Sequence, residues 1–125
     1  MKLNDLTERN KKFQDAVAQI TELIHHKSVL VYCSQLIRSA RRMDAMLRKL
    51  LATRNEMQFN TVIESLEDES DEIIFILDQL TDFDKRNGTS VMKHMVKQGF
   101  DVISLYSFAC DRLIASRLSK DEFDH

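Results

Sequence analysis

The sequence predicts an all-α fold, an antiparallel up-and-down four-helix bundle forming a single domain over residues 1–125. Three observations carry this reading. The chain has no proline and only two glycines, Gly88 and Gly99, and both residue types interrupt or weaken helices. Apolar residues recur in steps of three and four along four successive segments, the spacing that keeps one helix face on a core. The breaks between the segments are short and polar, which favours neighbours running in opposite directions.

The first helix is expected over about 7–26, with Phe13, Ala16, Val17, Ile20, Leu23 and Ile24 on one stripe and Asn4 or Thr7 as cap. A short side-chain oxygen at that position satisfies an amide the helix leaves unpaired. The second, about 28–54, carries Val29, Cys33, Leu36, Ala40, Met43, Leu47 and Leu50, an unbroken heptad seam. The third, about 58–81, repeats that rhythm at Phe59, Ile63, Leu66, Ser70, Ile73, Leu77 and Leu80. Asn87-Gly88 is a turn dipeptide, so a fourth helix is expected over about 90–118 with Thr89 or Ser90 as cap. Its seam reads Met92, Met95, Gly99, Val102, Tyr106, Ala109 and Leu113. Gly99 marks either a close approach of two helices or a break between a short helix and the main one. Leu36, Leu47, Ile63, Ile73 and Leu77 are the expected deep core.

Composition excludes several classes. At 125 residues with 43% apolar and 30% charged residues, the chain is globular and buries about two thirds of its unfolded surface without a disulfide or metal. The first nine residues lack the apolar run of a secretory signal. The longest apolar stretch, Val29 to Cys33, is about a quarter of a membrane span. A cytoplasmic protein is expected, with Cys33 and Cys110 reduced and packed as small core hydrophobes.

Charge is unevenly distributed. Residues 1–54 hold 11 Lys/Arg against 5 Asp/Glu, residues 55–84 hold 10 acids and no cation, and the remainder holds 7 against 5. At about 100° per residue, Arg38, Arg41, Arg42, Arg48 and Lys49 fall opposite the second helix's seam. Glu64, Asp68, Asp71, Glu72 and Asp78 likewise fall away from the third's. Such faces are solvated and neutralise one another side by side, or they meet a neighbouring subunit. A nucleic-acid groove on the second helix is a third reading, weakened by the net charge of −2 and pI near 6.1. Two aromatics, Phe75 and Phe108, also lie off the seams, and large exposed apolar groups often mark contact surfaces. The candidate interface therefore comprises these two aromatics, the five cations, and Asp68, Asp71, Glu72 and Asp78.

No catalytic constellation is legible. His25 and His26, read as adjacent on a helix, point about 100° apart and do not chelate one metal together. Di-iron bundles need Glu-x-x-His pairs, whereas Glu69 and Glu72 are followed by no histidine at that spacing. Both glycines are isolated, so there is no phosphate-binding loop. No cofactor, metal or small-molecule substrate is expected.

Gln35-Leu36-Ile37-Arg38-Ser39 opens a resemblance. Together with Ala45, Phe59, Glu69, Glu72, Leu77 and Leu80, and with Phe13, Ala16 and Val17 upstream, it resembles the four-helix-bundle proteins encoded in intervening sequences of 23S ribosomal RNA genes. Met43 stands where that family has a branched residue; Arg42, Met46 and Lys49 replace its serine, asparagine and glutamate. The resemblance implies an antiparallel bundle that assembles as a ring, typically a pentamer, with no enzymatic activity. A related branch serves diversity-generating retroelements as an accessory protein, binding nucleic acid and reverse transcriptase through a basic surface. The expected function is thus a non-enzymatic assembly or adaptor module that binds a macromolecule, itself first. The alternative is a nucleic-acid-associated factor using the second helix's basic face.

Overall fold

The computed structural model describes residues 2–123, with side chains through Leu118. All regular structure among them is helical: α1 Leu3–Leu23, α2 Lys27–Ala52, α3 Glu56–Asn87 and α4 Lys93–Phe123. Each helix packs on its neighbours in cyclic order, α4 returning to α1, and α2 and α4 touch across the diagonal. Contacts pair early residues of one helix with late residues of the next. Thr7 meets Asp44 and Gln14 meets Arg41; His26 meets Phe83 and Arg42 meets Glu69. That is the order expected of neighbours running in opposite directions.

The heptad seam of α2 is buried throughout, from Val29 to Leu50. In α3 the seam is displaced. Phe59, Leu66, Ile73, Leu77 and Leu80 are buried as expected, but Ile63 and Ser70 are half-buried, and Val62 and Ile76 take full core positions. The cause is that α3 packs on both α2 and α4, so its buried face is wider than a two-position stripe. In α1, Leu23 is 71% exposed, because the helix stops there and Ile24 turns inward.

The ends correct several expectations. α1 begins with Lys2 as its cap residue, without a side-chain cap, since the Thr7 hydroxyl donates instead to Asp44 and Asn4 lies within the helix. His25 and His26 belong to the α1–α2 connection rather than to a helix. Asn55 caps α3, its Oδ1 accepting from the Gln58 amide at 3.0 Å. α3 runs six residues beyond Thr81, until Gly88 adopts the left-handed conformation at φ 64°. The Thr89 amide then donates to the Asp84 carbonyl and the Gly88 amide to that of Lys85, which closes the helix end. Neither Thr89 nor Ser90 caps α4 by its side chain in the expected way. The buried Asp84 carboxylate receives the Thr89 hydroxyl at 2.7 Å and the Met92 amide at 2.9 Å, and α4 starts after that turn.

Gly99 is a point of close approach, inside an unbroken α4. A Cβ there would lie 2.7 Å from Leu77 Cδ1 and 2.9 Å from Phe13 Cε1, both fully buried side chains. The missing side chain lets α4 settle between α3 and α1.

Candidate interaction surface

Two rows of polar residues flank the apolar seams of α1 and α2 and face one another. Thr7, Asn10 and Gln14 recur at helical spacing on α1; Arg41, Asp44 and Arg48 do so on α2. Tyr106 of α4 completes the cluster. Asn10 is 1% exposed; its amide donates to the Ala40 carbonyl at 2.9 Å and to the Tyr106 hydroxyl at 3.1 Å. That hydroxyl donates to Asp44 Oδ1 at 2.7 Å, which also accepts the Thr7 hydroxyl at 2.8 Å. Arg48 Nε donates to the other carboxylate oxygen at 3.0 Å. Gln14 bridges Asn10 and Arg41.

Burial by itself would raise the Asp44 pKa. The hydrogen bonds from Tyr106, Thr7 and Arg48, with the Arg48 charge, outweigh it and hold the carboxyl below its ordinary value. Burial pushes the Tyr106 phenol up, and the neighbouring Asp44 adds to that. These groups therefore spend their donors and acceptors on each other. A connected, satisfied network of this kind fixes helix register.

The predicted surface residues divide accordingly. Arg38 and Lys49 are exposed on α2. Arg41, also exposed, reaches Gln14 at 3.2 Å, and Arg42 pairs with Glu69 of α3 at 3.3 Å. Arg48 is exposed as its position opposite the seam implies, and it is also tied to Asp44 and to the Thr7 hydroxyl, so it belongs to the network as well. On α3, Asp68, Asp71, Glu72 and Asp78 are exposed, with Phe75 53% exposed in their midst. Asp68, Asp71, Phe75 and Asp78 follow the three-four rhythm of a single stripe. Phe108 is 60% exposed on α4, and Arg112 lies 5.9 Å from its ring centroid.

Three surface grooves adjoin these residues. The largest, about 490 Å³, has the buried or half-buried Leu6, Leu47, Leu105 and Leu113 at its base and is also lined by Leu51, Phe108, Lys2 and Arg112. It lies beside the first turn of α1. Tyr106 contacts the Leu6 carbonyl, so the turns of α4 beyond it lie opposite the first residues of α1. A second groove of about 230 Å³ between α3 and α4 has Ile63, Ile103 and Ile114 in its floor and Glu67, Asp71 and Asp111 in its walls. A third, shallow and about 430 Å³, is lined by Ser34, Ile37, Arg38, Arg41, Arg42 and Ala45.

Among the described residues no three His, Cys, Asp or Glu side chains gather as a metal-ligand set, and no helix is long and apolar enough to cross a membrane. Burial pushes the Cys33 thiol up to about 11; burial, with the charges of Asp111 and Glu67, does the same to Cys110. Both stay protonated near neutrality, the unreactive state of a buried thiol.

Sequence reasoning placed Phe75, Phe108 and the charged faces but missed the polar network and the large groove. The signal for the network was present in the matching spacing of Thr7, Asn10 and Gln14. The groove depended on how the first turn of α1 lies against α4, which periodicity does not encode. No family model, no curated protein and no solved structure matches the chain.

Proposed function

We propose that the chain is a non-enzymatic, cytoplasmic assembly module that works by binding macromolecules through its outer helix faces, with a second copy of itself as first partner. The observation that carries this reading is apolar surface left outside a completed core. Phe75 and Phe108 stand more than half exposed, and Phe108 borders a groove floored by leucines, the kind of feature that marks a contact site. The polar groups that converge in the interior support a structural role, since they are engaged with each other. Head-to-tail assembly suits segregated charge better than a self-complementary patch does. A closed ring, such as the pentamer implied by the family resemblance, is the proposed end state. Sedimentation velocity of the wild-type chain across micromolar concentrations should show a species heavier than 14.6 kDa. A single monomeric boundary throughout would overturn the proposal.

A second reading has one observation in its favour. Arg38, Arg41 and Arg42 line the same shallow groove, a spacing of cations that suits a phosphate backbone. Fluorescence anisotropy with mixed RNA and DNA should then show binding at low salt that weakens steeply as salt rises, because each neutralised phosphate releases counterions. No binding at low salt would remove this reading. Arg41 and Arg42 already have protein partners, which favours the first.

A further inference from the structure

We propose that the leucine-floored groove beside Phe108 receives the Phe75 stripe of a second copy of this chain. This rests on the self-association proposed above and adds which surface meets which. The groove and the stripe match in length. The groove follows α4 from Leu105 to Ser116, about 16 Å at the rise of an α-helix, and the stripe from Asp68 to Asp78 spans about 15 Å.

They match in chemistry as well. The groove has an apolar floor, and its charged lining residues are Lys2 and Arg112. The stripe is an exposed phenyl group set between Asp71, Glu72 and Asp78, in a segment of ten acids and no cation. Ala109 in the groove leaves space beside Phe108, where a second aromatic ring can stack or pack edge-on. The groove between α3 and α4 is a poorer receptor, because its charged lining residues Glu67, Asp71 and Asp111 would repel an acidic stripe. Charge decides between the two.

One molecule does not satisfy itself. Asp71 and Ile74 of α3 line one flank of α4, together with Ser107 and Asp111. The leucine-floored groove lies on the other flank, towards α1 and α2. The pairing is therefore heterologous, and a pair of copies still presents one unused groove and one unused stripe until a ring closes.

That asymmetry supplies the test, with full-length chains. Phe75→Asp disables the stripe and leaves the groove intact; the double variant Phe108→Asp/Arg112→Glu disables the groove and leaves the stripe. All these positions are exposed, and far-ultraviolet circular dichroism verifies that both variants remain helical. In sedimentation velocity each variant alone should self-associate at least about tenfold more weakly than wild type, the scale of losing an interface anchor. An equimolar mixture should recover a complex of twice 14.6 kDa and nothing larger, because its two outer surfaces are the disabled ones. Variants that assemble like wild type, or a mixture that stays monomeric while wild type assembles, would overturn the pairing and leave self-association standing. A monomeric wild type would overturn both.

Discussion

Leu77→Ala is expected to destabilise the bundle by about 2–5 kcal/mol, the range for deleting a buried leucine and leaving part of its volume empty. Leu77 is fully buried, and its methyl groups occupy the space facing Gly99. The two positions should therefore be coupled. Gly99→Ala in the wild-type background gains about 1 kcal/mol of helix propensity but drives a Cβ to within 2.7 Å of Leu77 Cδ1. Overpacking of that kind costs about 1–3 kcal/mol, so a net loss is expected. With Leu77 truncated, the Phe13 ring at 2.9 Å remains in the way, so Gly99→Ala should cost clearly less than in the wild-type background. Urea titrations of the four proteins in a double-mutant cycle measure the coupling. Equal effects of Gly99→Ala in both backgrounds would show that the approach at this point is not tight.

Asp44→Ala is expected to cost about 2 kcal/mol at neutral pH, because Tyr106, Thr7 and Arg48 lose a charged acceptor. The pH dependence identifies the cause. The Asp44 pKa is lowered in the folded chain, so the unfolded chain binds this proton more readily. Its stabilising contribution is complete above the unfolded value of about 3.9 and is lost as pH falls through the lower folded value. Asp44→Asn should therefore flatten the acid limb of a stability–pH profile while lowering the neutral plateau. An unchanged acid limb in Asp44→Asn would assign acid sensitivity to other carboxylates. Tyr106→Phe should cost less, because Asn10 retains the Ala40 carbonyl and Asp44 retains Thr7 and Arg48.

How much of this was legible differs from helix to helix. The α2 seam is readable residue by residue because only one apolar set has the right spacing. In α3, Val62-Ile63 and Ile73-Ile74 are adjacent apolar pairs of which one member is fully buried, while both Ile76 and Leu77 are, and only the positions of α2 and α4 decide between these outcomes. Asn10 and Asp84 are polar residues in the core. Hydrophobic patterning assigns both to the surface, and their burial depends on partners that periodicity does not reveal. For Asn10 that partner is Tyr106, 96 residues away. Asp84 needs a turn whose amides point back at it. Phe75 and Phe108 were legible because each breaks its helix's apolar rhythm; Phe100, 38% exposed, was not singled out. The groove that Phe108 borders was not legible.

The cyclic order of the helices also shapes how the chain reaches this fold. Contacts of α1 with α2, α2 with α3, and α3 with α4 each join elements adjacent in sequence, so three of the four walls assemble as hairpins that close short loops. The fourth wall differs. Tyr106 accepts from Asn10 and contacts the Leu6 carbonyl across 96 and 100 residues, so docking α4 against α1 encloses most of the chain. Loop-closure entropy grows only logarithmically with length, and it is lower still once the intervening hairpins are formed. Predominantly local topology places such a bundle among rapidly folding domains. The polar cluster then joins that last wall, through Tyr106, to the α1–α2 hairpin already formed.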